Sequence, residues 1–165
     1  MKIKIAILSL SIAGCAVSVP KMNEPSFARS GDVSAYSFVV IEQGPTMRAS
    51  IAQADESRAA AQSREFNPTQ LMEGVFLKKG LVRVTSVPDS SRNNTLIAKW
   101  GVSGSRDFVI GNAWKGYARA YSQEVTISLI SATDLRPVFS CTGEGMGVTE
   151  LDDIRQAIVS CLSGL

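Results

Sequence analysis

The stretch Thr149-Glu-Leu-Asp-Asp-Ile-Arg-Gln-Ala-Ile-Val-Ser-Cys-Leu162 decides the fold. Leu151, Ile154, Ala157, Ile158, Cys161 and Leu162 recur at helical spacing and make one apolar face. Thr149-x-x-Asp152 is a capping-box-like start, with aspartate where glutamate is usual. Asp152, Asp153, Arg155 and Gln156 are expected to face outward, the two aspartates complementing the helix dipole. A helix with one such face cannot bury itself; it must lie on a sheet.

The sheet is written upstream. Val125, Ile127 and Leu129 alternate with Thr126 and Ser128, the period of a half-buried strand. Ala132 to Arg136 reads as a turn, and Pro137-Val-Phe-Ser-Cys141 as the returning arm of a hairpin, with Phe139 and Cys141 on one face. Ser37-Phe-Val-Val-Ile-Glu42, Leu81-Val-Arg-Val-Thr85 and Thr95-Leu-Ile-Ala-Lys-Trp100 read as further strands, bounded by Gly44-Pro45 and by turn chemistry over Pro88 to Asn94.

Asn67 to Gly80 carries a full set of helix signals. Asn67 can cap, Pro68 suits the first helical position, and Leu71, Met72, Val75 and Phe76 keep helical spacing. Lys78 and Lys79 sit in the last turn and Gly80 suits the left-handed position beyond it. Thr46 to Arg64 is rich in alanine and charge but thin in apolar residues, so it reads as a marginal helix or a mobile excursion. The expected fold is therefore α+β: a two-layer sandwich with a mostly antiparallel sheet of five to six strands, covered by two helices, with a marginal extra helix.

The amino terminus sets the expected location. Lys2 and Lys4 precede an apolar run from Ile5 to Ala13, and Ile12-Ala13-Gly14-Cys15 closes it. This is the layout of a bacterial secretory signal, and the closing residues resemble a lipobox. The run is about half the roughly twenty residues that span a bilayer. One alternative is an ordinary cleaved signal in which Cys15 is incidental. On the lipobox reading, residues 1–14 are the signal peptide and Cys15 is acylated, in the manner of palmitate-bearing lipoproteins. Residues 15–35, with Pro20, Pro25 and Gly31, then form a flexible tether of roughly 25 Å. Residues 36–165 make a single periplasmic domain. Ala16, where an aspartate would direct retention, resembles the outer-membrane sorting class, so the expected location is lipid-anchored at the outer membrane, facing the periplasm.

Composition narrows the chemistry. The chain has 17 Lys and Arg against 15 Asp and Glu. Loss of Lys2 and Lys4 with the signal balances the charges, leaving no electrostatic case for nucleic acid. There is no histidine, which removes the commonest general base, metal ligand and pH switch; no cofactor and no metal are expected. Three cysteines are an odd number for an oxidising compartment. If Cys15 carries lipid, Cys141 and Cys161 remain, either as a disulfide or as two buried thiols. Cys161 lies about 18 Å along a helix begun at Thr149, so a bridge requires the strand of Cys141 to run on to about residue 147.

The order of these pieces resembles a group of small bacterial outer-membrane lipoproteins, the DUF4136-like family, and more distantly periplasmic domains of TolB-amino-terminal type. Leu71 to Val84, Thr95 to Trp100, Val125 to Phe139 and the closing helix carry the resemblance. The insertion at 46–64 and a phenylalanine at 139, where tryptophan is expected, depart from it. The resemblance implies no catalytic residues.

Candidate sites are few. Gly143-x-Gly145-x-Gly147 lies between a strand and a helix, but the chain lacks the further strand and acidic residue of a dinucleotide fold; the glycines read as a flexible or bulged strand end. Ser103 and Ser105 have the wrong spacing for a nucleophile elbow, and no local signature pairs a serine with a lysine. Catalysis is not expected. From Arg106 to Tyr121, aromatic and cationic residues are interleaved: Arg106, Trp114, Lys115, Tyr117, Arg119 and Tyr121 could present a partner surface. Alternatively Phe108 and Trp114 are core and the cations are solvated. Two roles follow: a non-catalytic structural or assembly partner of another envelope protein, tied to the bilayer through Cys15, or a module binding peptidoglycan or another glycan through the 106–121 surface.

Overall fold

A computed structural model describes residues 21–42, 47–48, 65–112, 116–147 and 150–165. Side chains are described within these except at 47–48, 65–66, 107–112, 116–121, 147 and 150–151. The strands are β1 (Ser26–Arg29), β2 (Phe38–Ile41), β3 (Met47–Arg48), β4 (Glu65–Phe66), β5 (Val82–Val84), β6 (Thr95–Asn112), β7 (Gly116–Ser131) and β8 (Pro137–Gly147). The helices are α1 (Pro68–Lys78) and α2 (Glu150–Leu162).

Six strands form one mixed sheet in the order β1-β8-β7-β6-β2-β5, and the two helices pack on it: the fold is α+β, in two layers. β2 runs parallel to both β5 and β6, and every other pairing is antiparallel. A parallel neighbour needs a crossover, which α1 supplies between β2 and β5.

The signals around α1 act as local chemistry requires. The Asn67 Oδ1 accepts from the Thr69 N–H at 3.0 Å. At the other end Gly80 takes φ +84°, Gly80 N–H donates to Leu77 O and Leu81 N–H to Phe76 O. This is a Schellman ending, and its apolar contact is supplied by Phe76 and Leu81, both in the core.

One core lies between the layers. Val39, Ile41, Leu96, Ala98, Val125, Ile127, Leu129 and Phe139 supply it from the sheet; Met72, Phe76, Ile154, Ile158 and Leu162 supply it from the helices. Each large side chain buried here contributes about 1.5–3 kcal/mol. Cys141 and Cys161 are joined as a disulfide with Cα atoms 5.4 Å apart, and β8 does extend to Gly147.

Several expectations need correction. Ser26–Arg29, inside the stretch read as tether, is an edge strand paired with β8 from Phe139 to Thr142. Phe27 anchors it, its ring 6.2 Å from that of Phe139. Met47–Arg48, read as the start of a marginal helix, pairs instead with Glu65–Phe66; residues 49–64 lie outside the described residues. The strand expected to stop at Trp100 continues to Asn112, and the glycine-rich stretch after it is one long hairpin with β7. Asp153 is not outward but fully buried. It falls on the same helical stripe as Ala157 and Cys161, at the i, i+4 spacing. Thr149, the expected cap, lies outside the described residues.

The glycines after Cys141 are not a bulged end. They sit in regular register, Gly143 opposite Val125 and Gly145 opposite Gln123. A Cβ on Gly143 would lie 2.6 Å from Ala157 O, and one on Gly145 would collide with Asp153 O and lie 2.7 Å from Ala157 N. Their work is to let the backbone of α2 approach β8. The bulges occur elsewhere, at Ser103 of β6, between Val102 and Gly104, and at Val138 of β8, opposite Leu129 and Ile130 of β7.

Two outcomes are expected from this packing. Gly145→Ala lowers stability to chemical denaturation by about 2 kcal/mol or more, because helix backbone must move, whereas Gly101→Ala, with open space around it, changes little. Replacing Cys141 and Cys161 together by serine costs about 3 kcal/mol by loop-entropy reasoning for their separation of 20 residues, read as a lower thermal midpoint that reducing agent no longer shifts.

Candidate functional site

The sheet face away from the helices is polar at one end and apolar at the other. At the apolar end Phe38 and Val40 alternate with buried Val39 and Ile41, and Val82, Val84, Ile97 and Ile130 are half-buried or exposed. At the polar end cross-strand hydroxyls pair directly. Thr126 Oγ1 and Thr142 Oγ1 are 3.1 Å apart, as are Ser128 Oγ and Ser140 Oγ. The extra residue of the β6 bulge, Ser103, donates to Glu124 Oε1 at 2.7 Å.

The polar end finishes in a buried carboxylate. Glu144 lies between the two packing glycines of β8, so strand alternation turns it to the face opposite α2. It is 6 % exposed. Its Oε1 accepts from Arg106 Nε at 3.0 Å and also from Arg106 Nη2. Its Oε2 accepts the backbone N–H of Asn23 at 2.9 Å. Burial pushes this carboxyl up, but hydrogen bonds from Arg106, Asn23 and Ser122, with the Arg106 charge, outweigh it and hold the group below the ordinary glutamate range.

Beyond this point the sheet narrows to an arm. β8 ends opposite Tyr121, and β6 and β7 continue as a ribbon from Phe108↔Ala120 to Asn112↔Gly116, about 17 Å long. The expected partner residues are divided by it. Tyr117, Arg119 and Tyr121 hold alternate positions of β7, in step with buried Val125 and Ile127. Arg106 pairs in register with Ser122, which is out of step with them, and its guanidinium is engaged by Glu144. Trp114 and Lys115 lie outside the described residues, as does Cys15. Ser103 and Ser105 are not joined to a lysine by any described hydrogen bond; Ser103 serves Glu124. Among the described residues no cluster of three or more Asp, Glu or Cys could hold a metal ion.

A second feature is a shallow cleft of about 210 Å³ lined by Arg29, Asp32, Ser34, Lys79 and Leu165. The Asp32 carboxylate caps the short 3-10 turn Val33–Ala35, accepting from the Ser34 N–H and Oγ, both at 2.9 Å. Lys79 Nζ donates to Leu165 O at 2.9 Å, and the Arg29 guanidinium lies 5.9 Å from the Phe139 ring centroid. The charged groups of the cleft are thus engaged with protein partners. Nothing in the sequence marked Glu144 or Asn23. An acidic residue between two glycines was the available signal, and it gains meaning only when the strand register is known.

No protein-family model matches the chain, and no curated protein sequence matches it. Among solved structures the chain is similar to PelC from Paraburkholderia phytofirmans, crystallised as a dodecamer. One form gives a TM-score of 0.46 at 13% identity, covering 86% of this chain and 95% of that one. A second form gives 0.44 at 15%, covering 85% and 91%. A PDZ domain protein from Parabacteroides distasonis gives 0.42 at 13%, covering 85% of this chain and 34% of that one.

The Glu144 pair predicts a pH dependence of stability. A carboxyl held below its ordinary range in the folded state contributes stability above the unfolded-state pKa of about 4.3, and that contribution is lost as pH falls through the folded value. The urea-midpoint difference between wild type and Glu144→Gln is therefore expected to be full near neutrality and to shrink below about pH 4. A difference that grows on acidification contradicts the assignment.

Proposed function

We propose that the chain is a lipid-anchored envelope protein whose α+β domain acts as a non-catalytic structural or assembly partner at the periplasmic face of the outer membrane. The observation that carries this reading is the division of the three cysteines. Cys141 and Cys161 are bridged inside the core, an arrangement suited to an oxidising compartment. That leaves Cys15 alone, at the end of Ile12-Ala13-Gly14, where a lipobox would place the acylated residue. Among the described residues no helix is long and apolar enough to cross a membrane, so on this reading attachment falls to the acyl chains. The β6–β7 arm, standing clear of the third strand, supports a role in contacting another envelope protein.

Metabolic labelling with radioactive palmitate tests the anchor. Wild-type protein is expected to carry label and to sediment with membranes; Cys15→Ser is expected to lose the label and appear in the soluble periplasmic fraction. Unlabelled, soluble wild type overturns the proposal. Crosslinking in intact cells supplies the partner arm of the same experiment. An adduct with another envelope protein is expected, and wild type that crosslinks to nothing overturns the assembly role while leaving the anchor standing.

A further inference from the structure

Glu144 joins three segments that are far apart in the chain. Arg106, 38 positions away, comes from the base of the arm. The Asn23 N–H, 121 positions away, comes from the segment that leads into β1. Ser122 comes from β7. Residues 21–29 form a strap: Asn23 is held by Glu144, and Ser26 to Arg29 pair with β8 from Thr142 to Phe139. The strap's side chains are mostly exposed, so its hold depends on these backbone bonds and on the contact of Phe27 with Phe139.

The carboxylate's two oxygens are divided between the strap and the arm. Oε1 takes the guanidinium and Oε2 takes the strap's N–H. Glu144 is buried with the strap's Asn23 N–H bonded to it, and the Arg106 side chain is half exposed. If the strap lifts, the carboxylate gains water and the attraction between it and Arg106 is screened. A two-stranded ribbon is marginal without such support.

We propose that Glu144 is a joint coupling the docking of strap 21–29 to the order of the β6–β7 arm. The coupling stands on the geometry alone; what it would serve rests on the proposed function, in which the strap leads back toward the anchor and the arm meets the partner. Linkage makes it reciprocal: whatever steadies the arm favours the docked strap, and whatever pulls the strap away loosens the arm.

Hydrogen–deuterium exchange of the full chain, read by mass spectrometry, tests this. Asn23→Pro removes the strap's N–H to Glu144 and leaves the residues of the arm unchanged. It is expected to speed exchange about three- to ten-fold in the strap and also in peptides covering 101–112. Glu144→Gln is expected to do the same in both. Asn23→Ala keeps the N–H and is expected to match wild type. Faster exchange in the strap alone after Asn23→Pro overturns the coupling. So does an equal rise in α1 and β5, which is global loosening, and so does an Asn23→Ala variant that loosens the arm as much as Asn23→Pro. Labelled or unlabelled, the state of Cys15 does not enter this readout, so its failure is distinct from failure of the anchor.

Discussion

The structure depends on how closely the backbone of α2 approaches β8. Helix and strand can meet at this distance only because positions 143 and 145 carry no side chain, since a Cβ at either would enter the backbone of residues 153–157. The disulfide from Cys141 to Cys161 fastens the same two elements one turn further along. The rest of the layering follows. With the helix axis drawn in, Ile154, Ile158 and Leu162 reach Val125, Ile127 and Leu129, and the sheet is committed to showing α2 this face and no other.

That commitment fixes the other face as well. Between the two glycines strand alternation must turn Glu144 away from the helix, and the same parity carries Thr142, Ser140, Thr126 and Ser128 with it. These hydroxyls satisfy one another across the strands. They make a surface that needs no second layer, unlike the apolar end around Phe38, Val40 and Ile97. Glu144 has no hydroxyl ladder to join. At the rim, it finds its donors in Arg106, Ser122 and the strap.

How much of this was legible in the residues differs by element. The closing helix, the β7–β8 hairpin and α1 were readable because their apolar spacing and caps are local; Asn67, Pro68 and Gly80 act within a few residues of themselves. The fold class followed, since two one-sided helices and several half-buried strands admit few arrangements. β1 was not readable. Ser-Phe-Ala-Arg has no strand periodicity, and it is a strand because β8 offers an edge and Phe139 a ring for Phe27. The reach of β6 past Trp100 was hidden by its glycines and serines, which look like loop and are tolerated because β7 pairs with them on both sides of the bulge at Ser103. The inward position of Asp153 was hidden by its charge, which outweighed a helical spacing that placed it on the buried stripe. The grouping of the expected partner residues was hidden for the complementary reason: adjacency in sequence put Arg106 with Tyr117 and Arg119, while register sets Arg106, opposite Ser122, out of step with them.

The ion pair is weak evidence of stability, because removing the Glu144 carboxylate from water costs much of what its attraction to the half-exposed Arg106 returns; an apolar residue of similar volume would often hold as well. The value of Glu144 must then lie in what an apolar residue cannot do. A methyl group at that point could pack against the strap but could not accept the Asn23 N–H, and so could not fix where along β8 the strap begins. A four-residue edge strand with exposed side chains has little else to set its register, and a slip by one position would carry Phe27 off the Phe139 face. The carboxylate supplies that setting. It does so through an oxygen distinct from the one that holds Arg106, which is why strap and arm meet at one residue rather than at two.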